Sequence, residues 1–379
     1  MNKHTLVKRI LPICVSACVV MSILGGLTRT ATTAGVVNVR DLGAIGDGRA
    51  DDTLPLQAAL SRRGTVYIPP GEYRITRGLS VYSQTSIIGA GVIVVDFETW
   101  DASPRNVALY ITGDDVFIEG ISISKKYLDG SLASGIVAND VRNIEIRNVE
   151  VSGYSARYGI HIIESSHFVI ANSYIHDFMV DTQADMIEDS PAGIRVTRST
   201  DGHIVGNRIE RIEVGPIGRD SISPVIPGYG KQGYQADGMT IMQSRSIIVK
   251  DNTIATTGEG IDLLLSDACV VSGNMVQDIW GLALKLLGVQ RCIVSANYVS
   301  DAYMGVGLSY HQAFDRPATG NVILGNIFYN MGSPGSFGVP GRNALGERRI
   351  PWRAPGAILL DTASINNVVV GNVIEDTQE

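Results

Sequence analysis

Two carboxylic acids, Asp237 and Glu259, each stand immediately before a glycine, and a third, Asp262, follows the second of those glycines by two positions. The placement is not confined to them. It recurs in YGIHIIE (158–164), AGIRVT (192–197), DGMTIM (237–242), EGIDLLL (259–265), WGLALKLL (280–287) and MGVGLSYH (304–311). Before the glycines stand Tyr158, Ala192, Asp237, Glu259, Trp280 and Met304. Two positions after them stand His161, Arg195, Thr240, Asp262 and Ala283, with Lys285 two further on. If these phrases are strands, the residue after each glycine points inward and the next points outward. One exposed stripe then gathers an imidazole, a guanidinium, three carboxylates, an ammonium and two aromatic rings.

Such a stripe supports two chemistries. In the first, Asp237 and Glu259 act as paired carboxylates on a glycosidic bond, one protonating the leaving oxygen while the other activates water or attacks. Asp262 then raises a neighbour's pKa or binds sugar hydroxyls. Stacked strands lie about 4.8 Å apart, so the two carboxyls can reach either the ~5–5.5 Å of a retaining pair or the ~6.5–9.5 Å of an inverting one. In the second chemistry, Arg195 or Lys285 neutralises a uronate carboxylate and His161 or Lys285 removes the proton beside it. No cofactor is needed for the first; calcium can assist the second, held by the hard oxygens of Asp237, Glu259 and Asp262. Tyr158 and Trp280 offer flat faces on which a sugar stacks. A solvated ion-pair ladder would read the same way in sequence, as would a β-rich protein that binds or spaces carbohydrate without cleaving it.

The elements that must position these residues are announced by a second repeat. SIIVKDNTIATT (246–257), ACVVSGNMVQDI (268–279) and RCIVSANYVSDA (291–302) place Asn252, Asn274 and Asn297 at steps of 22 (274−252) and 23 (297−274). Asn148, Asn172, Asn207, Asn326 and Asn372 extend the phrase in both directions. A fixed period of this length is one unit stacked on itself, and short β-branched runs broken by Gly and Asn are strands and turns. The expectation is an all-β parallel solenoid with the asparagines as a ladder, since a side-chain amide can accept from one coil and donate to the next. A solenoid grows around one continuous core, so residues 36–379 read as a single domain. Three long insertions, 179–191, 213–236 and 331–355, fall between an asparagine strand and the next Gly-initial strand, and should wall one side of a groove.

Composition fits this: 45% hydrophobic, 18% charged, and 42 glycines for many tight bends. A net charge of −7 with no basic stripe argues against nucleic acid or anionic lipid as a partner. Lys3, His4, Lys8 and Arg9 precede an apolar run from Ile10 to Leu27, followed by small residues. Residues 1–34 therefore read as an export signal, placing the remainder in the periplasm or outside the cell and off the membrane once the signal is cleaved. Cys269 and Cys292 each precede a ladder asparagine by five residues (274−269, 297−292) and occupy matching slots in neighbouring coils, as a disulfide or as two buried thiols.

The stretch VNVRDLGAIGDGRADDTLPLQAALSRRGTVYIPPGEYRI (37–75) carries the most specific wording. Asp51 or Asp52 can cap a short amphipathic helix near 52–61, with Leu56, Ala59 and Leu60 on its apolar side, covering the open end of the solenoid. Its D-x-G-A-x-G-D-G head (Asp41, Gly43, Ala44, Gly46, Asp47, Gly48), Asp51-Asp52-Thr53, Gln57-x-Ala59 and V-Y-I-P-x-G-x-Y strand pair resemble the N-terminal signature of the pectate-lyase-like superfamily. The resemblance implies a right-handed parallel β-helix with an N-terminal capping helix. It also implies carbohydrate chemistry of several kinds, since rhamnogalacturonases, polygalacturonase relatives, pectate and alginate lyases, mannuronan epimerases and phage tailspikes share it. Tyr158-Gly159 with His161 resembles part of the secreted mannuronan epimerase site, though the Asp-Pro-His portion is absent. The polygalacturonase Asp-Asp and Gly-His-Gly motifs are missing. Residues 258–297 are similar to inulin fructotransferases, which also use an acidic pair.

Overall fold

A computed structural model describes residues 35–97, 106–125, 134–153, 157–180, 191–214, 236–332 and 356–375. The export-signal reading of residues 1–34 lies outside them. Among the described residues no helix is long and apolar enough to cross a membrane.

Every paired strand of the coils is parallel to its neighbour in the next coil, and parallel crossovers wind right-handed, so the chain is a right-handed parallel β-helix. Each coil has three faces. Arg142–Arg147, Ser166–Ala171, Thr200–Val205 and Arg245–Lys250 belong to a twelve-stranded sheet. Glu150–Gly153, Tyr174–Val180, Arg208–Val214 and Thr253–Thr257 form the next face. The third, the site face, is carried by β1 (Tyr158–Ile163), β2 (Ala192–Thr197), β3 (Asp237–Met242), β4 (Glu259–Leu264), β5 (Met275–Leu287) and β6 (Tyr298–Ser309). β5 and β6 run round a corner without a break, so these two faces count as one sheet of twenty strands. Inward positions stack like on like, as in Ile160, Ile194, Met239, Ile261, Leu284 and Val306, all at 1% exposure or less.

The ladder exists, with a correction at its start. Asn207, Asn252, Asn274, Asn297, Asn326 and Asn372 are linked in order, each Oδ1 accepting both the backbone N–H and the Nδ2–H of the residue before it at 2.9–3.0 Å. Asn148 and Asn172 are not rungs. They sit one position earlier, in the left-handed bend (φ 49° and 51°), where later coils carry Gly206, Asp251 and Gly273. Ser173 takes the rung, its N–H donating to Asn207 Oδ1 at 3.0 Å. Another corner carries a ladder of hydroxyls, in which the N–H groups of Ser165, Ser199 and Ser244 donate to Ser199, Ser244 and Ser266 Oγ. Cys269 and Cys292 are free, buried thiols in stacked slots, the Cys269 N–H lying 3.4 Å from Cys292 Sγ.

The helix α1 spans Thr53–Ser61 and buries Leu56, Ala59 and Leu60 in the core, while Gln57 bonds the backbone of Ser80. Asp52 holds the N-cap position without capping the helix through its side chain. Its carboxylate accepts the N–H groups of Ile45 and Gly46 at 2.7 and 3.0 Å, tying the glycine-rich head to the helix, and Asp51 accepts from Thr53 N–H.

Strands ending at Val180, Val214 and Met331 are followed on the site face by strands opening at Ala192, Asp237 and Gly356, so the three insertions leave from one corner. What segments 181–190, 215–235 and 333–355 build lies outside the described residues.

Candidate active site

A regular strand places residues i and i+3 on opposite faces. The Gly-initial strands break that rule. Thr240 Oγ1 donates to Asp237 Oδ2 at 2.6 Å, the rings of Tyr158 and His161 meet edge-on at 4.7 Å, and Lys285 Nζ touches Glu259 and Asp262 together. In each case the residue before the glycine has been brought onto the outward face, three positions from its partner. The glycines themselves are dictated by close approach: a Cβ on Gly238 would meet Ile254 Cγ2 at 2.4 Å and Gly260 O at 2.7 Å, and one on Gly260 would meet Ala283 O at 2.3 Å. The residue before each glycine, which strict alternation would turn inward, therefore joins the outward row in the one stripe that the sequence groups.

Its register runs His161, Arg195, Thr240, Asp262, Lys285, Gly307 in consecutive strands, with Tyr158, Ala192, Asp237 and Glu259 beside the first four. This corrects the expectation for β5. Ala283, not Gly281, is the equivalent of Gly260, because β5 shifts register between Ile279 and Leu282. Ala283 is therefore fully buried rather than part of the stripe, and Lys285 stacks directly on Asp262. Leu282 pairs with Met304, so Trp280 falls in the irregular stretch and is not the counterpart of Glu259; its side chain lies outside the description.

Nor is the stripe exposed. Tyr158, Arg195, Asp237, Glu259, Asp262 and Lys285 are all buried, the two aspartates at 3% and 2% exposure. Lys285 Nζ lies 2.6 Å from Glu259 Oε2 and 2.7 Å from Asp262 Oδ2. One oxygen from each of Asp237, Glu259 and Asp262 is within 4.8 Å of the other two, a spacing that suits a hard cation, but Lys285 already contacts two of the three carboxylates. Oδ1 of Asp237 and Oδ1 of Asp262 have no hydrogen-bond partner among the described residues.

Burial pushes Asp237 up to about 7, with the charge of Glu259 adding to it against the pull of Lys285, Thr240 and Arg195. Burial and Glu259 likewise hold Asp262 well above the usual carboxylate range. Burial alone would lower Lys285, but Asp262, Glu259 and Asp237 outweigh it and keep the ammonium charged. At the other end Arg195 Nη1 donates to Tyr158 OH at 3.1 Å and its guanidinium lies 5.1 Å from that ring. His161 bonds Thr197 Oγ1 at 3.1 Å, and burial, with Arg195, Arg157 and Arg198 nearby, pushes it down to about 3. Arg157, which the spacing of the repeat gives no reason to pick out, stands 5.6 Å from the Tyr158 ring.

The parallel β-helix places the chain among the β-helix proteins of pectate-lyase-like architecture. Within them, the chain is a member of the family described as rhamnogalacturonase A/epimerase, pectate lyase-like, which matches residues 36–283. A second description, periplasmic copper-binding protein (NosD), matches residues 229–374. Mannuronan C5-epimerase AlgE2 of Azotobacter vinelandii is 27% identical over 211 residues, covering 45% of this chain and 21% of the relative. The chain thus spans about a fifth of the length of that relative. Among solved structures, the family 28 exopolygalacturonase of Yersinia enterocolitica shares the fold with a TM-score of 0.58 at 12% identity, over 91% of this chain and 76% of the other. The tailspike of E. coli bacteriophage HK620, solved in complex with a pentasaccharide, gives 0.52 at 12% identity, over 89% of this chain and 66% of the other.

Proposed function

We propose that this is an exported enzyme that hydrolyses a glycosidic bond of a polysaccharide lying over the site face. Asp237 is the proton donor and Glu259 the carboxylate that activates water or attacks the anomeric carbon. The observation that supports this is a pair of unlike carboxyl environments side by side. Asp237, buried and pushed up to about 7, holds a proton near neutrality, while Glu259 accepts the Lys285 ammonium at 2.6 Å. Such divergence divides acid from base in one site. The proton of Asp237 goes to the leaving oxygen as the glycosidic bond breaks. Asp262 shares Lys285 with Glu259 and completes the cluster. Lys285, which sequence spacing offers as a substrate-binding cation, is assigned instead to the carboxylates. This reading takes positive charge from Lys285 and needs no metal.

Elimination or epimerisation on a uronate polymer is the second reading, favoured by the epimerase activity for which the Azotobacter relative is named. Arg195 would neutralise the uronate carboxylate. The base is the difficulty: His161 is pushed down to about 3, and Lys285 is held protonated by three carboxylates. Neither is suited to remove a weakly acidic proton. A binder that does not cleave is the third reading.

Incubating the protein with a panel of plant, algal and bacterial polysaccharides separates them. New reducing ends without an ultraviolet-absorbing double bond support hydrolysis. The double bond means elimination, a changed uronate composition without cleavage means epimerisation, and binding without turnover means a lectin-like role.

A further inference from the structure

We propose that Thr240 is a positioning residue for the acid of this site: its hydroxyl occupies Oδ2 of Asp237 and leaves the proton to Oδ1. The inference rests on the hydrolase reading for its consequence, but not for its geometry. Between His161 and Lys285 in the outward row, only Thr240 cannot ionise. It is 3% exposed, and its hydroxyl is spent within its own strand on Asp237 Oδ2 at 2.6 Å. The other oxygen, Oδ1, is buried and has no hydrogen-bond partner among the described residues.

The charged groups that bear on Asp237 are Arg195 from β2, Glu259 and Asp262 from β4, and Lys285 from β5. Among the described residues, the hydrogen bond that distinguishes its two oxygens comes from Thr240. A hydroxyl donating to the ionised form also favours that form, so Thr240 holds back the upward push of burial and of Glu259. An acid whose proton sits on one fixed oxygen loses no time in the wrong orientation, and its pKa is tuned toward the working range.

The test does not require a known substrate. Protein labelled with ¹³C-carboxyl aspartate is titrated by NMR, the Asp237 signal being identified by its loss in Asp237→Asn. The expected wild-type resonance titrates near 7. In Thr240→Val it should titrate higher, by roughly one pH unit or less, as the loss of one hydrogen bond to the charged form implies. Thr240→Ser should restore most of the difference. If Thr240→Val fails to fold, Thr240→Ala, which adds no atoms to the buried site, replaces it. On any polysaccharide the wild type cleaves, the alkaline limb of kcat/KM should move with the NMR midpoint. An unmoved Asp237 midpoint in the Val or Ala variant overturns the proposal, as does a shift that Ser does not reverse. A shifted midpoint in a protein that cleaves nothing supports the role of Thr240 and counts against the hydrolase reading alone.

Discussion

The asparagine ladder and the acid cluster are both buried polar stacks running through the same coils, and they are built on opposite terms. In the ladder one residue type repeats, and every amide from Asn207 to Asn326 both donates to a carbonyl one coil back and accepts from its neighbour. No charge is present, so nothing titrates. In the cluster neither row carries the same residue in two successive coils. Three carboxyls surround one ammonium, two aspartate oxygens have no partner among the described residues, and burial pushes both aspartates above their ordinary range. A satisfied stack maintains shape; an unsatisfied one stores the electrostatic asymmetry that proton transfer uses.

The sharpest way to break that contrast is to remove Lys285. Lys285→Met leaves Glu259 and Asp262 buried without their cation, and should destabilise the fold by about 3–5 kcal/mol at neutral pH, easing in acid as the carboxyls protonate. Denaturant unfolding at two pH values reads this; a flat response would mean the cluster is wetter than its burial implies. Next in size, Asn274→Ala strips Asn252 of its acceptor and should lose about 1–3 kcal/mol per buried group left unpaired. Here the loss should be the same at pH 5 and pH 8, and any turnover should survive in the folded fraction.

The pH dependence of the wild type is a third test. A carboxyl raised from 3.8 to about 7 on folding binds its proton more tightly in the native state. Its contribution is fully present below about pH 4 and is lost as the pH rises through about 7, at up to ~1.4 kcal/mol per pH unit. Asp237→Asn should flatten that part of the stability curve and leave the rest unchanged. The smallest effect belongs to the other corner, where Cys292 fills the slot taken by Asn321 in the next coil, whose Oδ1 accepts the Cys292 N–H. Cys292→Asn should extend that short ladder and change the urea midpoint by the equivalent of less than about 1 kcal/mol; a large loss would mean the slot is shaped for sulfur.

Much of the fold is legible in the sequence because the ladder repeats one residue, at steps of 22 and 23 from Asn252 to Asn297, and stacked identical positions advertise themselves. Asn148 and Asn172 mislead for a physical reason: asparagine serves both the left-handed bend and the rung beside it, and sequence alone does not say which. The hydroxyl ladder from Ser165 to Ser266 passes unseen because serine is common in every turn. The site was half legible. Alternation places His161, Arg195, Thr240 and Asp262 in a row, and the sequence groups Asp237 and Glu259 with them, but what turns those two outward is the departure from regular geometry at Gly238 and Gly260, which the sequence does not state. The slip at β5 has the same root, since Gly281 imitates Gly260 while Ala283 occupies its place.

The central claim is that the acid cluster performs chemistry on carbohydrate rather than holding coils together. Turnover and binding by Asp237→Asn and Glu259→Gln, measured side by side on a polysaccharide the wild type cleaves, test it most directly. Both variants should remain folded and keep their affinity while turnover falls by about 10²-fold or more. Near-full turnover in either folded variant would contradict it.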